Sequence, residues 1–285
     1  MAFTDASTIT LGIVGYGNMG RALALGVSAK AELADHSLLI HEKQEAGAQA
    51  AAGAGFALAA QLPDLALRSD IILLAVKPDQ VAPALEQMAP AFKPGSLLVS
   101  IAAGIPLTYL AKYSQGRCAL ARVMPNTPAL VGQGVFGLCF DKNAPQDTRQ
   151  AARRLFSSLG LLIELDEDKM NAFTALSGSG PGYVFHFLES LAEAGVSVGL
   201  DRASSKSVAL ALLRGCAAMA EQAEQTDKMS GHAAILREQV SSPGGTTIAG
   251  LNHLDRSGAR GMLIDAVRAA CLRGEEMERA LETAK

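Results

Sequence analysis

The chain lacks the features that mark several protein classes. It has no long lysine- or arginine-rich run, and its formal net charge is −3, from 25 basic and 28 acidic residues. That balance argues against a nucleic-acid or anionic-membrane surface, both of which are held by clustered positive charge. No stretch reaches the roughly 20 uninterrupted apolar residues of a membrane span. The opening MAFTDASTIT lacks the basic and apolar regions of a secretory leader, so a cytoplasmic protein is expected. Only four cysteines occur, Cys118, Cys139, Cys216 and Cys271, too widely spread for a CxxC pair or a small disulfide framework. They are expected to pack reduced in the core, as small hydrophobes do. No HxxxH or Cys/His grouping has ligand spacing, so no metal is expected. Small molecules or other subunits are the expected partners.

What is present is a chain of 285 residues, 49% hydrophobic and 19% charged, enough for one large domain or two ordinary ones. Between Thr8 and Leu165 short apolar runs alternate with helical patterns: ITLGIVG, SLLIHE, DIILLAVKP, GSLLVSIAAG, CALARVMP, GVFGLCF and LGLLIEL. Runs without polar alternation suit strands buried on both faces. With helices between them they predict an α/β fold, a Rossmann-type, doubly wound, mainly parallel sheet. From Glu167 onward the pattern becomes alanine- and leucine-rich and helical throughout. The expected division is an NAD(P)-binding domain over residues 1–166 and an all-α domain over residues 167–285.

GIVGYGNMGRALALG places Gly15, Gly17 and Gly20 in a G-x-G-x-x-G array directly after a strand and opening a helix. The first glycine permits a tight turn, the second lets backbone approach a pyrophosphate, and the third lets helix and strand pack closely. The helix N-terminus adds unpaired N–H groups and partial positive charge. Glu42 and Lys43 follow the next strand, where such folds meet the adenosine ribose. An acid there accepts the 2′-hydroxyl of NAD and a cation welcomes the 2′-phosphate of NADP; with one of each, the choice between NADH and NADPH stays open. Lys77-Pro78, SIAAG and MPNTP end three further strands, on the edge where ligands of open α/β sheets lie.

Deep in the second half comes VSSPGGTTIAG, residues 240–250, with no acid, base, thiol or metal ligand. Bare amides and hydroxyls can donate and accept hydrogen bonds without charges that would be costly to bury.

Taken in order, GYGNMG, AVKP, SIAAG, MPNTP, SGSGPGYVF, EAGVSVGL and SPGGTTIAGL resemble the pyrroline-5-carboxylate reductase family over almost the whole chain. The resemblance implies a reductase that passes a hydride from NADPH or NADH to 1-pyrroline-5-carboxylate, giving L-proline. It also implies a homodimer through the helical domain and larger assemblies such as decamers. Carried over by position, Gly15, Gly17, Asn18, Met19 and Gly20 would hold the pyrophosphate. Ala75, Val76, Lys77, Pro78, Ala103 and Gly104 would line the cofactor crevice, and Asn126 would border the nicotinamide. Ser242, Gly244, Gly245, Thr246 and Thr247 would form the substrate loop, with Val240 and Pro181 as apolar walls and Glu167 as the carboxylate starting the first long helix.

Thr247 is the expected catalytic contact, near the ring nitrogen; the alternative is a helix-capping threonine before IAGL. Tyr183, His186, His232 and His253 are given no general-acid role. The chain departs from the resemblance at Gly182, in the length of EQTDKMSGHAAILREQV, and at Ala233 and Arg237-Glu238. A β-hydroxyacid dehydrogenase, the nearest rival, needs a lysine in the helix SGSGPGYVFHFLESLAEAG, which has none. A reductase of another cyclic or open-chain imine, or a nucleotide-sensing protein without turnover, are the other readings.

Overall fold

The computed structural model describes residues 9–226 and 231–283. The opening segment and residues 227–230, part of the stretch noted above for its length, lie outside the described residues. The alternation of runs resolves into β1 (Ile9–Val14), α1 (Asn18–Ser28), β2 (His36–His41), α2 (Glu45–Gly53), β3 (Ala57–Leu58), α3 (Leu62–Arg68), β4 (Ile71–Leu74), α4 (Val81–Met88), β5 (Leu97–Ser100), α5 (Leu107–Ser114), β6 (Ala119–Met124), β7 (Gly134–Phe140), α6 (Gln146–Ser157) and β8 (Gly160–Glu164). The strands form one sheet in the order β3-β2-β1-β4-β5-β6-β7-β8. Every neighbouring pair is parallel except β6 with β7, which run antiparallel. The apolar runs do not announce β3, because its two exposed residues pair only with Leu39 and Ile40 at the sheet's edge.

Both faces of the central strands are covered, as parallel strands require. Edge strand β8, expected from its apolar run to be buried on both faces, instead exposes Leu161 and Ile163, because among the described residues no strand or helix lies beyond it on that side. Successive side chains of β4 point to opposite sides, so Ile71 and Leu73 join one core with Ile13, Val99 and Phe136. Ile72 and Leu74 join the other with Leu85, Leu98 and Leu110. Helix α6 seals the first core with Thr148, Ala151, Ala152, Leu155 and Phe156, buried at the spacing of one helical face.

The chain forms two compact units. The first comprises the described residues through Ser179 together with those from Arg268 onward, and the second is Gly180–Val267. The expected boundary at residue 166 falls inside the first unit. After β8 come α7 (Met170–Phe173) and a π-helical turn, Thr174–Gly178, with Met170 and Ala175 buried. The second unit holds α8 (Gly180–Ser197), α9 (Arg202–Thr226), α10 (Ala233–Gln239), α11 (Thr246–Arg256) and the first part of α12 (Ala259–Thr283). Helices α8 and α9 approach closely because Gly195 carries no Cβ, which would meet Ser205 Oγ at 2.6 Å. Gly182 sits in the first turn of α8 beside Pro181, where intrahelical donors are unsatisfied in any case and glycine is less disruptive than mid-helix. Large apolar side chains of this unit, among them Phe185, Phe187, Leu210 and Leu212, are exposed on the single chain.

All four cysteines are free. Cys139 is buried and Cys118 and Cys271 are half-buried, but Cys216 is exposed on α9, which corrects the expectation that all four lie in the core. Burial pushes the Cys118 thiol from 9.0 up to about 12 and that of Cys139 up to about 11. The unfolded chain ionises such thiols while the folded chain keeps them neutral. Their contribution to stability is therefore intact below about pH 9 and is lost as pH rises through that value toward 11–12. Urea denaturation across this range should show the decline, and replacing both residues with alanine should reduce its slope. A thiol reagent at neutral pH should leave Cys118 and Cys139 unmodified until the protein unfolds. Phe136→Ala, which empties a fully buried ring site, should cost about 3–5 kcal/mol by the same denaturation measurement.

Candidate active site

The sheet order reverses direction between β1 and β4, the place where open α/β sheets bind ligands beyond the strands' carboxyl ends. The loop leaving β1 is anchored by Gly15 N–H donating to the His41 carbonyl at 2.8 Å, and the loop leaving β4 by Ala75 N–H donating to Val14 at 2.8 Å. Gly15 has φ +97°, in the left-handed region, and a Cβ there would meet the Ala75 carbonyl at 2.6 Å. A Cβ on Gly20 would collide with the Gly15 carbonyl. Around Gly17 a Cβ would meet nothing within 4 Å, so that face of the backbone is open. The three glycines thus do different work: turning the chain, admitting the helix, and leaving room for a ligand. Gly17 is also the N-cap of α1, with no side-chain cap and no acid in the first turn, so the helix's first amides stay available to an anion.

These loops border a cleft of about 470 Å³. Gly15, Tyr16, Gly17, Glu42, Lys43, Ala75, Val76 and Lys77 line it. Its size and the open glycine edge fit a dinucleotide. The remaining expected cofactor residues stand elsewhere within the same unit. Asn18, Met19 and Gly20 form the first turn of α1, and Pro78 opens a short 3₁₀ turn. Ala103 and Gly104 lie on the loop after β5, where Gly104, at φ +72°, packs its backbone near Met277 of α12. Asn126 is buried. Its Oδ1 accepts from Val135 N–H at 2.9 Å, and its Nδ2 donates to the Ser177 carbonyl at 3.3 Å, tying the loop after β6 to the π-helical turn.

Glu42 is held by two backbone donors: Tyr16 N–H to Oε2 at 2.6 Å and Gln44 N–H to Oε1 at 2.8 Å. Tyr16 itself turns inward, its buried ring edge-on to Phe56 with centroids 6.0 Å apart.

Within the second unit, the 240–250 loop leads into α11. Gly244 has φ +68° with open space around it. Gly245 is the N-cap, its N–H donating to the Ser242 carbonyl at 3.0 Å. No side chain caps α11. Thr246 and Thr247 are its first two residues, exposed on the single chain together with Ser242 and Val240, while Pro181 is half-buried in α8. Gly245, not Thr247, occupies the N-cap position, so Thr247 does not cap this helix. His232 caps α10 instead, its Nδ1 accepting from Ala234 N–H at 3.2 Å.

Sequence reasoning passed over Arg122. Its side chain is 5% exposed in the otherwise apolar β6. Nη1 donates to Glu167 Oε1 at 2.9 Å and Nη2 to Glu278 Oε1 at 3.0 Å. Glu167 Oε1 also accepts from Leu107 N–H at 2.6 Å, at the positive start of α5, and Glu278 Oε2 accepts from Asn171 at 2.9 Å. Glu167, expected toward substrate, is thus engaged in joining β6, α5 and the segment before α7. The signal available was an arginine within an apolar strand; its partners, 45 and 156 residues away, carried none.

A family model described as pyrroline-5-carboxylate reductase dimerisation matches residues 167–277. A second, described as NADP oxidoreductase coenzyme F420-dependent, matches residues 10–104. A pyrroline-5-carboxylate reductase of Pisum sativum is 35% identical over 95% of this chain and 97% of its own length. One from Synechocystis is 36% identical over 95% and 98%. The crystal structure of Plasmodium falciparum pyrroline carboxylate reductase with NADP bound has a TM-score of 0.81 at 33% identity, covering 95% of this chain and 99% of that one.

Two substitutions separate the roles of these groups. Gly17→Ala, whose Cβ meets nothing within 4 Å, should cost no more than about 1 kcal/mol of stability, the scale of losing a favoured N-cap residue, yet weaken dinucleotide binding on the order of tenfold or more by crowding backbone contacts to a charged ligand; titration of the cofactor's fluorescence checks it. Arg122→Ala should cost about 3 kcal/mol in guanidinium denaturation, the lower end of the range for a broken buried pair, because both carboxylates retain some solvent.

Proposed function

The chain belongs to the pyrroline-5-carboxylate reductase family, and we infer that it reduces the C=N bond of 1-pyrroline-5-carboxylate to give L-proline, the last step of proline biosynthesis. It is an NAD(P)H-dependent oxidoreductase. The observation that carries the assignment of roles is the acid- and base-free loop at the start of α11, with Gly244 left-handed and unobstructed and the first turn of the helix uncapped by any side chain.

Bound NADH or NADPH supplies the hydride. The chain's own groups hold the reactants. Gly17 and the first amides of α1 take the pyrophosphate, and Ala75, Val76 and Lys77 border the cofactor. The amides around Gly244 and Gly245 and the hydroxyls of Ser242, Thr246 and Thr247 take the substrate carboxylate and ring nitrogen. A protonated imine brings its own proton, so the loop's task is position and electrostatic fit rather than proton transfer. Thr247 is the proposed contact to the nitrogen, and Pro181 and Val240 the apolar walls. Glu167, paired with Arg122 and Leu107 N–H, is the proposed carboxylate at the start of this substrate region.

Residues 167–285 serve as the substrate and dimerisation domain in this reading, beside an NAD(P)-binding domain over residues 1–166. The match to a dimerisation model over residues 167–277 and the exposed Phe185, Phe187, Leu210 and Leu212 support association of two copies. Assembly of dimers into a decamer is the further proposal. No described helix is long and apolar enough to cross a membrane, and four free thiols suit a cytoplasmic site.

Purified protein should oxidise NADPH or NADH with pyrroline-5-carboxylate and not with a keto acid. Oxidation with the keto acid alone would favour the dehydrogenase reading. Thr247→Ala should lower kcat/KM on the order of tenfold, the scale of a lost hydrogen bond to a charged group, and Thr247→Ser should restore much of it. Light scattering should give a mass of at least two chains.

A further inference from the structure

Glu42 stands at the wall of the cleft with its carboxylate already oriented. One oxygen is fixed by Tyr16 N–H, from between the first two glycines of the nucleotide loop, and the other by Gln44 N–H two residues on. The first turn of α2 closes the third side, and only a glycine fits there: a Cβ on Gly47 would meet Glu42 Cγ at 2.7 Å and Cδ at 3.2 Å. Glu42, Tyr16 and Gly47 all line the same cleft. An ionised carboxylate has about four acceptor directions, so two backbone donors leave room for further donors from a ligand.

On the reading that the cleft takes a nicotinamide dinucleotide, we propose that Glu42 is the specificity-determining residue of its ribose end. It accepts hydrogen bonds from a vicinal ribose diol and repels a 2′-phosphate, so this chain binds NADH in preference to NADPH. A free hydroxyl donates to the carboxylate, whereas a phosphate offers only acceptors and like charge at the same point. Lys43 also lines the cleft, but it is exposed and makes no ion pair among the described residues. An exposed, solvated ammonium is screened by water and salt, whereas the carboxylate is half-buried and held by two backbone donors. Lys77 and Asp79, by the β4 loop, add one charge of each sign to the cleft.

The test is direct titration of the purified protein with NADH and with NADPH, without substrate, following the fluorescence of the reduced nicotinamide. The expected Kd for NADPH is about tenfold or more above that for NADH, the scale of one like-charge contact near a protein surface. Glu42→Gln keeps the side chain's shape and should bring the ratio close to one, chiefly through tighter NADPH. In the unaltered protein, ADP-ribose should displace NADH at lower concentration than 2′-phospho-ADP-ribose, a comparison that needs no variant to fold. Equal or tighter binding of NADPH by the unaltered protein, or a ratio that Glu42→Gln leaves unmoved while both cofactors still bind, would overturn the proposal. Binding of neither cofactor would overturn the dinucleotide reading and the proposal with it. Discriminating binding without imine reduction would leave Glu42's role standing and remove only the assigned reaction.

Discussion

A guanidinium in the middle of a sheet imposes a condition on the rest of the chain. Arg122 occupies a strand whose neighbours are apolar, and a charge so placed is tolerated only when paired and hydrogen-bonded. Its partners come from far along the sequence, Glu167 before α7 and Glu278 on the last helix. Meeting that condition brings the final turns of α12 into the first compact unit, although more than a hundred residues intervene. Each carboxylate has a second donor, Leu107 N–H or Asn171 Nδ2, so the charges are shared among β6, α5, α7 with the segment before it, and α12 rather than held by one contact. Met277, one residue from Glu278, then lies against Gly104 on the loop after β5. An ion-pair network in the framework thereby sets the surroundings of a loop on the ligand-binding edge of the sheet.

The nucleotide loop depends on a steric constraint instead. Gly15 and Gly20 are required by the protein's own backbone, since a Cβ at either would strike a carbonyl. Gly17 is required by nothing in the protein. A site shaped for a ligand differs in this way from a merely tight turn: part of its glycine is explained internally, and part is explained only by what approaches from outside. The orientation of Glu42 by Tyr16 N–H binds the same loop to the end of β2, so these two walls of the cleft are built as one piece.

The second unit follows another economy. Ser205 and Ala209 are its buried side chains in α8 and α9, and several phenylalanines and leucines of these helices are exposed on the single chain. Such a unit gains little from its own interior, and its exposed apolar side chains lie in the region that a family model described as dimerisation matches. The hydroxyl- and glycine-rich loop that leads into α11 is carried on that framework, and no side chain caps the helix.

The period of the apolar runs was enough to read seven of the eight strands, the doubly wound class and the switch to helix near Glu167, because short apolar runs between helical stretches leave a direct mark on composition, even at the edge strand β8, which is largely exposed. Motif order was enough to indicate the family, since glycine, proline and hydroxyl positions in tight loops are constrained locally. The two-residue β3 had too little apolar sequence to show. That Arg122 pairs with Glu167 and Glu278, that Asn126 holds the π-helical turn, that Cys216 is exposed and that Glu42 is pinned by the glycine loop were decided by tertiary structure alone. Each of these depends on which distant group arrives at a given point, and a charge or amide has no periodicity by which its partner is marked.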